Sequence, residues 1–279
     1  MQQIFIGSEA LARGALTRYE LRTDYRRVLP DVYGPRRGNL TLDDRIAAAW
    51  LWSKREGIVS GLAASAVLGA KWVDVDTDIE LTWANNRSLN GVVMRRETFV
   101  DDEVAIVGGM AVTTAERTAF DLARRGSVGQ AVARLDALAR ATHFKVEDVQ
   151  ALATRHPRVK GRRLVDRALD LVDAGAESPK ETWLRLLLID AGFPRPQTQI
   201  PVLGPDGHPL YYLDMGWEDE MIAVEYDGDD HRERPRWGKD IFRSEYVAHL
   251  GWTHIRVVAG NRRPEILLRV NRAWALRWH

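Results

Sequence analysis

Two apolar segments separated by a short polar stretch restrict the fold of this chain more than any other feature of its sequence. The segments PLYYLDM and EMIAVEYDG surround the polar stretch GWEDE at residues 216–220, a pattern typical of a β-hairpin. If the strands pair symmetrically about the midpoint between Asp219 and Glu220, Asp214 lies opposite Glu225 with the Cβ atoms ~5 Å apart. The period-two alternation of a strand places Asp227 on the same face.

Carboxylates that share one sheet face need compensation, because like charges repel and favour protonation unless a cation lies between them. The chain contains no cysteine, which excludes disulfides, thiolate nucleophiles and cysteine-based zinc sites. Oxygen ligands without thiolates favour Mg²⁺ or Mn²⁺, and these ions support in-line attack on a phosphodiester. We therefore expect Mg²⁺ or Mn²⁺ to bind between Asp214 and Glu225.

The composition is that of a globular chain. It has 279 residues, 45% of them hydrophobic, and a formal net charge of +1. No apolar run approaches the ~20 residues of a membrane span, and the N-terminus lacks the pattern of a signal peptide. We expect a cytoplasmic protein without a membrane partner, in which DNA binding would require segregated basic residues.

The first forty residues show such a segregation, because they contain seven arginines. SEALARG predicts a short helix that is capped by Ser8. A second helix begins at a capping box formed by Thr17 and Glu20. YRRVLPDVYGPR then predicts a hairpin. Helix, turn, helix and basic hairpin together are typical of a winged helix-turn-helix, whose second helix enters the DNA major groove. The predicted DNA-binding residues here are Arg18, Tyr19, Arg22, Arg26, Arg27, Arg36 and Arg37. The alternative is a helical hairpin with solvated arginines.

The middle of the chain changes from a strand pattern to a helix pattern. A helix capped by Ser60 is followed by β-like stretches within residues 78–112, and apolar spacing predicts helices within residues 114–174. The acidic and small residues 173–179 mark the best domain boundary. We therefore divide the chain into a winged helix-turn-helix region (1–70), a connecting region (71–176) and a C-terminal domain (177–279).

The C-terminal domain has a clear order of predicted elements. A helix begins after Ser178, with Glu181 as the capping-box acid, and ends near Gly192. A strand near residues 198–202, the hairpin, a helix around Arg243 and the strand THIRVVAG follow.

Several segments of the first half resemble the N-terminal domain of the AbiEi-type antitoxin family. They are GALTRYELR, LPDVYGPR, IVSGLAASAVLG and VTTAERTAFDLARRG. The resemblance implies a DNA-binding regulator.

The last hundred residues resemble the Vsr-like nuclease domains of the PD-(D/E)XK superfamily. The resemblance rests on LDMGWEDEMIAVEYDGDDHRER, the downstream Arg243 and LGWTHIRV, with SPKETWLRLLL as the leading helix. It implies that Asp214, Glu225 and the Tyr226 carbonyl bind the metal. It also implies that Glu181 and Asp227 complete the acidic cluster and that His231 acts as a base or binds a phosphate.

Two departures from that nuclease pattern stand out. Asp227 occupies the position where the superfamily usually has lysine, so Lys239 or Lys180 would replace the usual cation and Arg243 would bind phosphate. The zinc site of true Vsr enzymes cannot be present, because the chain has no cysteine. The alternatives are a capping role for Glu181, a turn at Asp227, solvated acids at residues 229 and 230, and a surface position for His231.

The sequence therefore predicts a multidomain α+β or α/β protein with an N-terminal winged helix-turn-helix, a helical middle and a restriction-endonuclease-like C-terminal domain. The predicted activity is metal-dependent hydrolysis of DNA by an endonuclease. The first alternative is a non-catalytic DNA-binding regulator or antitoxin with a degenerate nuclease domain, which the missing lysine favours. A second is a protein-interaction module of a defence or toxin–antitoxin system. The predicted partners are DNA and either a second copy of the chain or another protein.

Overall fold

The computed structural model describes the backbone of residues 4–84, 89–228 and 237–277, and the side chains in these ranges apart from residue 101 and residues 237–241. It shows a mixed α/β protein, which confirms the predicted class. The chain divides into two compact units. Unit 1 comprises Met1–Ala131 and Ala141–Asp170, and unit 2 comprises Val132–Arg140 and Leu171–His279. The finer division at residues 70 and 176 stays a prediction.

Unit 1 begins with the predicted helix, turn, helix and hairpin. The elements are β1 (Phe5–Ile6), α1 (Gly7–Ala12), α2 (Arg18–Asp24), β2 (Tyr25–Leu29) and β3 (Val32–Pro35). The strands form an antiparallel sheet in the order β1-β3-β2. The capping box of Thr17 and Glu20 is present. Ser8 does not cap α1 as expected, because its hydroxyl donates to the Asp31 carboxylate at 2.5 Å.

A five-stranded sheet follows in unit 1. Its elements are α3 (Leu42–Trp52), β4 (Ile58–Ser60), α4 (Gly61–Val67), β5 (Ile79–Thr82), β6 (Val92–Arg95), β7 (Val104–Val107) and β8 (Met110–Thr113), with the strand order β6-β5-β4-β8-β7. Ile46, Val59, Ala63 and Leu81 are buried together in its core. The strands expected within residues 78–112 are confirmed. Strand β4 was not predicted, and it continues this sheet across residue 70.

Four helices complete the predicted helical stretch. They are α5 (Ala115–Ala123), α6 (Val128–Thr142), α7 (Val146–Arg155) and α8 (Arg162–Asp170). Phe120, Leu152 and Leu169 are buried on their inner faces. Helix α6 supplies residues to both units, since Val132–Arg140 belongs to unit 2.

Unit 2 contains a four-stranded sheet and three further helices. The elements are α9 (Pro179–Asp190), β9 (Gln197–Leu203), β10 (Pro209–Trp217), β11 (Ile222–Asp227), α10 (Trp237–His249), β12 (Thr253–Val258) and α11 (Arg263–Ala275). The strand order is β12-β11-β10-β9, in which β11 and β12 run parallel and the other pairs are antiparallel. All but α11 were predicted.

Strand β11 alternates between two cores. Ile222 and Val224 pack in a core with Leu184 of α9 and Ile266 of α11. Ala223 packs in a second core that includes Val247 of α10. Because side chains of a strand alternate, Glu225 follows Ala223 to the side of α10.

In the described ranges, no helix is long and apolar enough to cross a lipid bilayer. The cytoplasmic location stays a prediction.

Candidate functional site

The β10–β11 hairpin has the predicted register. Met215 pairs with Val224, Gly216 with Ala223 and Trp217 with Ile222, so Asp214 and Glu225 each adjoin the last pair of this ladder. The Asp214 carboxylate accepts a hydrogen bond from the backbone N–H of Tyr226 at 2.9 Å. The two carboxylates therefore lie in the same part of the sheet, as the sequence predicted.

Both oxygens of Glu225 are engaged by cationic or imidazole groups. Arg243 of α10 donates to one oxygen at 2.5 Å, and the Nε2 atom of His254 in β12 lies 2.5 Å from the other. Glu225 is buried, and only about a third of the Arg243 side chain is exposed. The negative charge of Glu225 is therefore compensated inside the protein by Arg243, which leaves little reason for a second cation.

His254 was missed by the sequence reasoning. It lies two residues before Arg256, which pairs with Glu225 in the parallel register of β11 and β12. Aligning THIRVV beside IAVEYD would have placed a histidine near the carboxylate. That alignment requires knowing that the two strands are neighbours, which the sequence alone does not provide.

Asp214 has an unusual protonation equilibrium. Burial, reinforced by the negative charges of Glu225 and Glu181, raises the pKa of Asp214 to about 7 from an ordinary value of 3.8. The hydrogen bond from Tyr226 and the charge of Arg243 oppose this shift. A divalent cation that bound to this carboxyl group would displace its proton, so that binding would depend on pH.

Glu181 serves the N-terminus of α9. Its carboxylate accepts from the backbone N–H of Glu177 at 2.8 Å and from the Ser178 hydroxyl at 2.9 Å. Burial raises the pKa of Glu181, while these hydrogen bonds lower it. Ser178 caps α9 by accepting from the Glu181 N–H, but Glu181 binds the N–H of Glu177 and not that of Ser178, so the reciprocal bond of a capping box is not formed. A catalytic role for Glu181 stays a prediction.

The remaining predicted residues of this cluster are distributed as follows. Asp227 accepts from Arg256 at 2.7 Å, and the Tyr226 ring meets Trp183 edge to face at 6.4 Å between centroids. His231 and the side chain of Lys239 lie outside the described residues. Roles for Asp227, for the Tyr226 carbonyl, for His231 and for Lys239 stay predictions.

The described residues give no support to a metal centre. Among them, no group of three or more histidine, aspartate, glutamate or cysteine side chains is arranged to hold a metal ion. Both oxygens of Glu225 are in addition engaged by Arg243 and His254. The binding of Mg²⁺ or Mn²⁺ stays a prediction.

The predicted DNA-binding arginines fall into two groups in the structure. Arg18, Tyr19 and Arg22 are exposed on α2, with 69% of Tyr19 accessible, and residues four positions apart share a helix face. Arg27 and Arg37 are exposed as well. These five side chains can reach a ligand from solvent.

Arg26 and Arg36 have intramolecular roles. Arg36 donates to the carbonyl oxygens of Arg22 and Thr23 at 2.9 and 3.0 Å, which satisfies carbonyls at the end of α2. Arg26 donates to the carbonyl of Gly38 at 2.8 Å. These two arginines therefore fix the hairpin against its neighbours, while a contact with DNA stays a prediction for both.

A buried network of charged side chains in unit 1 was also missed. Arg117 of α5 is fully buried between Glu103 at 2.5 Å and Asp121 at 3.1 Å, and it lies 3.5 Å from Glu97. Arg124 pairs with Asp121 at 2.6 Å and with Glu97 at 2.5 Å. The network joins the helices to the segment after β6 and is structural in character.

Comparisons with known proteins find similarity over part of the chain. A family model described as the AbiEi antitoxin C-terminal domain matches residues 53–173. Uncharacterized proteins of two Mycobacterium tuberculosis strains are 30% identical over 170 residues, which cover 57% of this chain and 59% of each relative. The matched region thus spans less than two thirds of the length of these relatives.

These findings correct two expectations. The matching part of the antitoxin family is its C-terminal domain, and the match begins after the hairpin, so that GALTRYELR and LPDVYGPR lie outside it. The expectation of a metal-dependent DNA endonuclease is wrong, because the match to an antitoxin domain points to a non-enzymatic antitoxin or regulator. In the structure, Arg243 and His254 engage the Glu225 carboxylate that the nuclease hypothesis assigned to the metal.

Proposed function

We propose that the protein is a non-catalytic, DNA-binding transcriptional regulator of the antitoxin type. One observation carries this proposal: Arg18, Tyr19 and Arg22 are exposed on α2, in a segment N-terminal to residues 53–173, which are similar to an antitoxin domain. A regulator of this type controls a toxin or an abortive-infection system, and we propose such a system as its context.

In this proposal the first forty residues act as a winged helix-turn-helix. Helix α2 enters the major groove, where Arg18 and Arg22 contact base edges or phosphates. Arg27 and Arg37 of the hairpin region contact phosphates, which position the protein without reading sequence. The hydrogen bonds from Arg36 to α2 support this arrangement by fixing the helix end relative to the hairpin.

Unit 2 has a supporting role in the proposal. We propose that it has a Vsr-like, restriction-endonuclease-like fold without catalysis. The order of α9, the hairpin, α10 and β12 supports this, as do the intramolecular partners of Glu225. A toxin protein and a second copy of the chain are proposed as further partners.

The test is a binding measurement with the full chain. Specific duplexes are selected from fragmented genomic DNA, and affinity is then measured over a range of salt concentrations in EDTA. We expect Arg18→Ala and Arg22→Ala each to lose about 1–3 kcal/mol of specific binding and to lower the salt slope by ~1 for each lost phosphate contact.

Arg167→Ala is the matched control, because Arg167 is an exposed helical arginine of the same unit, outside the predicted DNA-binding set. It should leave affinity and salt slope unchanged. Equal losses in all three variants, or no selective duplex binding by the wild type, would overturn the proposal.

A further inference from the structure

An open pocket lies at the base of α2. It encloses about 360 Å³, within the range of small-molecule sites. Its apolar wall includes Phe5, Leu16, Tyr25 and Leu51. Phe5 is held in place by an edge-to-face contact with Tyr25 at 4.9 Å between ring centroids. This aromatic pair therefore forms part of the apolar wall of the pocket.

The mouth of the pocket carries an excess of positive charge. Glu9, Arg13 and Arg55 line it. Arg55 forms two hydrogen bonds with the Glu9 carboxylate at 2.6 and 2.8 Å. Arg13 is 3.6 Å from the same carboxylate and its side chain is 76% exposed. Because Arg55 already neutralises Glu9, Arg13 remains available to bind an anionic group at the entrance.

The backbone before the pocket mouth is strained. Lys54 and Arg55 have φ angles of 57° and 67°, a left-handed conformation that bulky L-residues rarely adopt. Such conformations persist where the surrounding structure determines them, often at ligand sites. Here the strained pair follows α3 and brings Arg55 to Glu9.

The pocket is directly connected to the proposed DNA-reading helix. Leu16 precedes the N-cap residue Thr17, and Tyr25 follows Asp24 at the end of α2. Pocket residues thus adjoin both ends of this helix. A ligand that contacts both would favour one position of α2 over another, and its binding would be coupled to DNA binding.

We propose that this pocket binds a small amphipathic carboxylate, with its apolar body against Phe5, Leu16 and Tyr25 and its carboxylate at Arg13, and that binding changes the affinity for DNA. The coupling to DNA rests on the proposed function, whereas the ligand site itself does not.

Octanoate and the uncharged octanamide are the probes, titrated calorimetrically into the full chain without DNA. We expect octanoate to bind about tenfold more tightly than octanamide, because only the carboxylate can form a hydrogen bond with Arg13 in which both groups are charged. Arg13→Gln should remove this difference while leaving octanamide affinity unchanged. Ala10→Phe should abolish binding of both, because Ala10 lines the pocket and the larger ring fills it.

The second measurement compares DNA affinity with and without octanoate. The wild type should show a changed affinity, and Ala10→Phe should bind DNA without responding to octanoate. The site is overturned if octanoate does not bind at millimolar concentration, or binds Ala10→Phe equally well. Octanoate binding without an effect on DNA affinity overturns the coupling. Octanoate binding by a chain that fails to bind DNA refutes the proposed function and leaves the site intact.

Discussion

Arg117 shows how a single residue can carry a structural role that its sequence context conceals. In AERTAFDLARR an arginine between the polar residues Glu116 and Thr118 suggests a solvated position, yet Arg117 is fully buried. Its guanidinium also donates to the carbonyl of Thr98 at 2.9 Å. Glu97 and Glu103, which complete its environment, come from a segment separated from α5 by a hairpin, so local periodicity could not reveal them.

Replacing Arg117 with methionine should destabilise unit 1 strongly. The change removes one cationic partner from each of the buried carboxylates of Glu103 and Asp121, and breaking a buried pair costs about 3–5 kcal/mol. Urea denaturation of the full chain measures it. Arg167→Met, an exposed change in α8, should stay within about 0.5 kcal/mol of the wild type. A loss for Arg117→Met no larger than for this control would contradict the structural role.

Asp214 should make stability depend on pH, because its pKa is raised to about 7 in the folded state. Between the ordinary aspartate pKa of ~4 and this value, the unfolded chain releases the proton while the folded chain retains it. The contribution of Asp214 to the free energy of unfolding is therefore fully present below about pH 4 and is lost as pH rises through this window.

Asp214→Asn should remove this dependence. The amide oxygen can still accept from the N–H of Tyr226, and no charge develops. Relative to the wild type, we expect the variant to gain roughly 2 kcal/mol at about pH 8 and nothing at about pH 4. Urea denaturation at both pH values tests this, with Asp219→Asn in the exposed turn as the control. A destabilised Asp214→Asn at the higher pH would show that the ionised carboxylate is needed.

At the scale of elements, patterns that are local in sequence predicted helices and strands correctly. Contacts between residues distant in sequence could not be predicted in this way. The register of β10 and β11 followed from a short turn and alternating side chains, and α2 from a capping box. Strand β4 has only three residues, too few for a periodic pattern. Arg243 and His254, which engage Glu225, lie 18 and 29 residues from it in the sequence. Only the folded unit brings them together.

The capping box of α2 offers a test at this scale. Thr17→Ala removes the side-chain acceptor of the Glu20 N–H at 3.2 Å, which should cost about 1 kcal/mol. Because α2 has only seven residues, a frayed first turn should also weaken DNA binding. Thr17→Ser keeps the hydroxyl and should restore both unfolding midpoint and affinity. A Thr17→Ser variant as impaired as Thr17→Ala would exclude the cap as the cause.

On the scale of the whole molecule, α6 determines where unit 2 begins. Asp136 of this helix is buried and accepts from Arg185 at 2.7 Å, from the Thr182 hydroxyl at 2.8 Å and from the backbone N–H of Asp173 at 2.8 Å. Arg185 is itself fully buried. The sequence boundary at residues 173–179 did not predict that unit 2 takes an earlier segment into its core.

A fragment of residues 171–279 should therefore fail to fold. This fragment lacks Asp136, so Arg185 would be buried without a carboxylate partner. The cost of about 3–5 kcal/mol is comparable to the free energy of unfolding of a small domain. A fragment of residues 128–279 should unfold cooperatively in urea. Asp136→Asn in that fragment should give an unfolding midpoint between those of the two unchanged fragments. Equal unfolding midpoints for both fragments would show that α6 is dispensable for unit 2.

The same helix limits how the gene can be cut and joined. A crossover at codon 171 would transfer most of unit 2 to another protein without Asp136, and the recipient would inherit an arginine with no counter-ion in its core. A viable transfer must begin upstream of α6, inside the segment similar to the antitoxin domain. Unit 2 therefore depends on a stretch of coding sequence that lies between the two segments of unit 1.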